Sequence, residues 1–408
     1  VKTHLLSIFL VMGGLVAGCQ NSPRQRNAQT AADDAASGQI VSLPAQGFQA
    51  AWRAKVDSDS LQRLYLTEDF VFAYDSANYV HVLQRGSGRL VFGQQIAKAG
   101  TQLFGPVQYK EWIFFPATST LEVYDRKGKL ERSMPTNTIA SAAVVDKDRG
   151  MIYLGSGVRI EAIEAKPEPY RVVPKWSKMA FTSGQFTAAP AVHQGVVFAG
   201  CRDGGVYAMK GDDGLAIWPL QRDSGFGFRT FGSILADVKA DGSGVYAAST
   251  DSKLYCLDLN TGMVRWSYYA QEKLDENNAP VLGNDLVYLY HRGAGVVAIE
   301  KSSTEAPVRS AKWAVKNAIQ FLAQDDKTAY LLGADRRIMA VDKQNGAVKL
   351  TSQRNDFAAF AANPKDATIY AATAGGDVYA IKPVVRAGAM GELVLETEAK
   401  PLELAARQ

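Results

Sequence analysis

Histidine and cysteine are scarce in this 408-residue chain, which has four His and three Cys. His4, His81, His193 and His291 are scattered with no ligand spacing between them, which argues against a metal centre. No two of Cys19, Cys201 and Cys256 are adjacent. Charge of one sign is also lacking: the formal net charge is +4 and there is no dense Lys/Arg run, so nothing points to nucleic acid. Phosphate loops are absent as well. Gly-Asp-Asp-Gly at 211–214 and Gly-Ala-Gly at 293–295 have no following helix, so they read as hairpin turns. The apolar stretch at residues 5–16 is too short to span a bilayer as a helix. At 47% hydrophobic and 21% charged, the remainder is ordinary for a globular protein.

That apolar stretch follows Lys2 and ends in Val16-Ala17-Gly18-Cys19, the layout of an export signal. It resembles a bacterial lipoprotein lipobox. The resemblance implies cleavage after residue 18 and lipidation of the Cys19 thiol; the alternative is an ordinary secretory signal that happens to contain a Cys. Gln20 is not the Asp that would retain a lipoprotein at the inner membrane. A lipid anchor in the outer membrane, facing the periplasm, is the expectation, and several acyl chains hold firmly where one is marginal. Residues 19–47 are polar, without an apolar period, and read as a flexible tether. A coil of that length reaches roughly 25–30 Å.

From residue 48 a repeat takes over. Aromatic anchors recur at Phe72, Phe114, Tyr153, Phe198, Tyr246, Tyr288, Tyr330 and Tyr370, spaced 42, 39, 45, 48, 42, 42 and 40 residues apart. Each ends a short strand and is followed, after a turn, by a second strand with a small residue at its third position. That column reads Val82, Val123, Ala162, Ala208, Cys256, Ala298, Ala340 and Ala380. Cys256 is therefore a core residue. Cys201 occupies a different column, at a turn, so no disulfide between the two is expected. A fixed period of about 40–50 residues built of short strands is the signature of a β-propeller with four strands per blade. The expected fold is all-β: an eight-bladed β-propeller of four-stranded antiparallel blades over 48–383.

Blade 5 shows all four strands, lettered A to D from the axis outward: 233–236, 244–248, 254–258 and 264–268. The eighth unit stops after strand C at residues 381–383. Residues 49–56 carry Trp52 in the surroundings of a D-strand Trp. They are expected to complete the last blade, closing the ring and removing a free edge. Residues 384–408 are a tail beyond the ring and are expected to be disordered; the alternative is that Leu393-Val394-Leu395 adds a strand or contacts a partner. His81 alternates with Val80 and Val82 and reads as a surface or groove residue.

Residues 256–266, CLDLNTGMVRW, match the pattern A-x-D-x-x-T-G-x-x-x-W almost fully, with weaker copies at 208–218 and 340–350. The repeat resembles the PQQ-type propeller repeat. With the lipobox, the tether, the Trp-bearing closing strand and the ending Val378-Tyr379-Ala380-Ile381-Lys382, it is similar to the BamB family. The resemblance implies a non-enzymatic scaffold lipoprotein that contacts a BamA-type protein and aids assembly of outer-membrane β-barrels, as a monomeric ring within a complex. In that family the contact uses interblade loops around the third to fifth blades, here 177–186 and 221–231. The family's Leu/Arg cluster is missing from the first stretch and its paired acids from the second, which leaves another envelope partner open.

By their own chemistry, Phe226, Phe228, Arg229 and Phe231 put aromatics and an Arg in the longest insertion, the composition of interface hot spots. Met179, Phe181 and Phe186 form a second candidate set. Two readings stand: contact loops, or Phe side chains folded back on the ring. The enzyme alternative is a quinoprotein dehydrogenase, which needs convergent ligands for Ca²⁺ and usually a Cys-Cys pair. The recurrent acids Asp125, Glu164, Asp258, Glu300 and Asp342 sit in one column after strand C, where turn hydrogen bonding accounts for them. No catalytic residue, metal or cofactor is assigned.

Overall fold

The computed structural model describes residues 47–136, 138–166, 171–179, 184–218, 220–221, 225–301, 307–387 and 393–395. Export signal, Cys19 and tether lie outside the described residues. Among the described residues there is no helix, and eight sheets follow one another as blades, each of four antiparallel strands; in blade 5 Val308–Arg309 adds a fifth strand parallel to the outermost one. Blade 1 is Leu61–Leu66, Phe70–Asp75, Tyr79–Gln84 and Leu90–Gln95, strands A to D in order. Blade 8 takes Phe357–Ala361, Ile369–Thr373 and Asp377–Pro383 from the end of the ring and Phe48–Lys55 from its beginning. Trp52 lies opposite Ala380, Arg53 opposite Tyr379 and Lys55 opposite Asp377, so the expected closure is present in register. Arg53 also pairs with Asp377 at 2.8 Å across this seam.

Every aromatic anchor on strand B lies directly opposite its small-column residue on strand C. Strand D then places a Trp opposite the same small residue at Ala162, Cys256, Ala298 and Ala380. The two rings meet over it: Tyr153–Trp176 5.8 Å, Tyr246–Trp266 5.9 Å, Tyr288–Trp313 5.9 Å and Tyr370–Trp52 6.1 Å between centroids. That overlap explains the column, because a larger residue on strand C would hold the rings apart. Where strand D brings Phe92 or Arg132 instead of Trp, the column residue is the larger Val82 or Val123.

The Trp side chains also join neighbours. Each of these indoles, and that of Trp218, which precedes the strand that completes blade 4, donates its Nε1–H to a carbonyl in the next blade: Trp52 to Arg85 (3.0 Å), Trp176 to Gly211 (2.7 Å), Trp218 to Leu259 (3.0 Å), Trp266 to Lys301 (3.2 Å) and Trp313 to Lys343 (2.9 Å). The C–D turn glycine of that blade lies on the indole: Gly88 on Trp52, Gly214 on Trp176, Gly262 on Trp218 and Gly346 on Trp313. The motif's Gly and Trp thus work between blades as well as within one.

The buried apolar residues form eight clusters, each spanning two adjacent blades. Both faces of a blade are therefore buried. This corrects the reading of His81, which is buried against Tyr79 with a ring separation of 4.8 Å. Strand alternation marks a surface only where one sheet face meets water, and here neither does. Burial pushes the His81 imidazole below its usual pKa.

Two further expectations are corrected. Strand A of blade 5 is Lys239–Asp241, with only a single bridge from Ile234 to Ser249. Between them Val238 N–H donates to Ala189 O (3.1 Å) and Asp237 accepts from Ala189 N–H (2.9 Å), so this stretch bonds blade 4 instead of its own strand B. In the tail, Leu393–Leu395 does form a strand, paired with Val385–Ala387 and not with a blade.

Candidate functional site: the interblade face

Strand direction sorts the turns. The B–C turns and the connections between blades lie on one face, and the A–B and C–D turns lie on the other. Met179 ends strand D of blade 3 (Arg171–Met179) on the first face, opposite Arg159, and its side chain is 58% exposed. The 48-residue repeat has a specific cause. After Trp218 the chain makes a separate hairpin, Leu220–Gln221 with Gly225–Phe226, and only then returns to blade 4. Phe228–Arg229 completes that blade beside Gly205–Val206.

Completing the blade settles the Phe228 side chain: it is buried, edge-on to Tyr255 at 5.1 Å. Phe186 is buried as well, edge-on to Tyr207 at 5.6 Å. For these two the folded-back reading holds, because both fill the interfaces between blade 4 and its neighbours. Phe181 and the Phe226 side chain lie outside the described residues.

Arg229 is half-buried and engaged. Its Nη1 donates to Asp203 O at 2.7 Å, and Nη2 lies 3.3 Å from Asp203 Oδ2. Asp203 also accepts from Gly205 N–H and Tyr207 O–H, both at 2.7 Å. Thr230 donates its hydroxyl to Gly232 O at 2.5 Å and accepts from Ser249 Oγ at 3.0 Å. Phe231 N–H donates to Asp251 Oδ2 (3.2 Å), which also takes Tyr255 O–H (2.8 Å). Burial, reinforced by these aspartates, pushes both Tyr207 and Tyr255 well above the usual tyrosine range, so both stay protonated donors.

On this pedestal, which spans blades 4 and 5, the Phe231 ring stands fully exposed at 101%. Tyr269, the last residue of strand D in blade 5 (Val264–Tyr269), lies on the same face and is 53% exposed. Sequence reading missed it; the signal is the strand period, which turns Tyr268 inward and Tyr269 outward.

The acid column divides by side-chain length. Asp125, Asp258 and Asp342 accept turn N–H groups from Lys127 (2.8 Å), Asn260 (3.0 Å) and Gln344 (2.7 Å). The longer Glu164 and Glu300 instead pair with Lys166 (3.2 Å) and Lys312 (2.8 Å). Cys201 and Cys256 are free and buried. Among the described residues no group of three His, Cys, Asp or Glu is placed to hold a metal ion.

Fold and site define a class: an eight-bladed propeller of PQQ-type repeats that presents an exposed aromatic on its interblade face. The model of the family described as outer membrane protein assembly factor BamB matches residues 173–352 and 269–385, overlapping stretches that together span just over half of the chain, and the chain belongs to that family. No curated protein matches the sequence. Among solved structures, BamB from Moraxella catarrhalis is similar at 15% identity over 82% of this chain and 97% of that one, with a TM-score of 0.60. The computationally designed Ika8 protein shares 14% identity over 82% and 100% of the two chains, with a TM-score of 0.62. Saccharomyces cerevisiae Sqt1 shares 11% over 82% and 98%, with a TM-score of 0.60. At such identities these likenesses show the fold alone.

Proposed function

We propose that this protein is a non-enzymatic scaffold that aids assembly of outer-membrane β-barrel proteins by binding a BamA-type partner through its interblade face. Lipidated Cys19 anchors it at the periplasmic side of the outer membrane. The observation that carries the binding site is Phe231. A fully exposed aromatic costs stability nothing when removed, and holding its backbone rigid lowers the entropic cost of binding. Met179 and Tyr269 on neighbouring blades extend the apolar surface. Membership of the BamB family supports the assembly role.

The test is capture of the lipidated protein with its partners from its native envelope, comparing wild type with Phe231→Ser/Met179→Ser/Tyr269→Ser. The variant is expected to keep its stability within about 0.5 kcal/mol. Its recovery of a BamA-type protein should fall at least about tenfold, the loss typical of a hot spot. Equal recovery by both proteins would overturn the assignment of the face. Recovery of no BamA-type protein by wild type would overturn the assembly role.

A further inference from the structure

The opposite face carries a cavity that the scaffold role does not use. It has a volume of about 590 Å³ and lies beneath the seam, lined from blades 8, 1 and 2. That size is typical of sites for small ligands. Trp52, Phe70, Val91 and Tyr370 supply its apolar wall.

Its charge is unbalanced once the pairs are taken out. Of the acids lining it, Asp69 is held by Arg126 at 2.9 Å, Asp366 by Arg85 at 3.7 Å, and Glu68 by Lys147. Arg89, Lys127 and Lys382 also line the cavity and are exposed, and no ion pair to any of the three is present among the described residues. They come from three blades, and two of them sit in turns whose glycines pack against aromatic rings. Arg89 follows Gly88, which lies on Trp52, and Lys127 precedes Gly128, which lies on Phe92. Cations converging from separate rigid turns on one cavity are the arrangement that recognises a multiply charged oxyanion.

The chain ends add a second observation. Val384 N–H donates to Gly47 O at 2.9 Å, so the leading segment enters and the trailing segment leaves the ring side by side at blade 8, next to Lys382. We propose that this cavity binds a phosphate-bearing anion, with Arg89, Lys127 and Lys382 as its cationic clamp and the Trp52–Phe70–Val91 wall against the apolar part of the ligand. The phosphate comes from a lipid headgroup or from a soluble molecule. The headgroup source rests on the lipid-anchor reading, because a leading segment tied to a membrane would turn this mouth toward it; the cavity does not.

The test uses the full chain carrying Cys19→Ser, so that binding is read without an anchor. One arm measures co-sedimentation with phosphatidylcholine vesicles with and without phosphatidylglycerol. The other measures the thermal shift with inorganic pyrophosphate. Binding in at least one arm is expected to weaken at least about tenfold in Arg89→Glu/Lys127→Glu/Lys382→Glu and to fall with added salt. The conservative variant Arg89→Lys/Lys127→Arg/Lys382→Arg should retain it, and Phe231→Ser should not affect it. Vesicle binding with no pyrophosphate shift assigns a headgroup, and the reverse assigns a soluble phosphate. Binding in neither arm, or binding that survives charge reversal, overturns the proposal. Whether wild-type Cys19 is lipidated in cells is a separate measurement and tests only the anchor.

Discussion

Gly262→Ala tests the joint between blades. Gly262 has φ +70° and lies in the C–D turn of blade 5, where an added Cβ would fall 2.6 Å from Cδ2 of Trp218. Two costs follow. The left-handed backbone penalises any L side chain by about 1–2 kcal/mol. The clash forces Trp218 to move, an overpacking cost of about 1–3 kcal/mol. Moving Trp218 also strains its 3.0 Å bond to Leu259 O, worth about 1 kcal/mol. The control is Gly100→Ala, with φ +82° and nothing within 4 Å of the added Cβ. It bears the backbone cost alone, so the two variants should differ by about 2–4 kcal/mol. Urea unfolding followed by tryptophan fluorescence measures the difference, and repeating Gly262→Ala in Trp218→Ala isolates the contact. Equal destabilisation of the two variants, or an unchanged Gly262→Ala cost without the indole, refutes glycine–indole docking as the joint.

Three further outcomes follow from the structure. Arg85 clasps the seam, donating to Thr67 O (3.0 Å), Asn363 Oδ1 (3.0 Å) and the hydroxyl oxygen of Tyr370 (3.1 Å). Arg85→Met should therefore cost about 2–3 kcal/mol in urea unfolding, whereas Arg354→Met, at an exposed position in the blade 7–8 connection, should stay within about 0.5 kcal/mol. Burial pushes the Cys201 and Cys256 thiols up to about 12, so the unfolded chain, with thiols near 8.5, releases protons that the fold retains. Stability should fall as pH rises above about 8.5, less steeply in Cys201→Ala/Cys256→Ala; iodoacetamide at pH 8 should label both thiols only in denaturant. Cys256→Ala, which restores the residue found opposite Tyr153 and Tyr288, should change stability by less than about 1 kcal/mol.

The repeat was legible because it is stated many times over. An aromatic on strand B, a small residue on strand C and a Trp on strand D recur at one spacing, and each is required by the same contact between rings. Trp52 could be assigned to the last blade from its neighbours alone, since the eighth unit lacked the strand that Trp52 carries. The loops were less legible because they do not repeat. Nothing local separates Phe228 from Phe231. One lies opposite Val206 in a strand, and the other, three residues on, is held out by Asp251 from the next blade.

The sequence by itself determined the blade count, the closing strand and the column of small residues, because these follow from periodic local patterns. Only the tertiary structure decided which loop aromatics are buried, that His81 lies between blades, and that Arg89, Lys127 and Lys382 share one cavity. Those outcomes depend on which blade packs beside which, a relation between residues up to about 300 positions apart that no local pattern encodes.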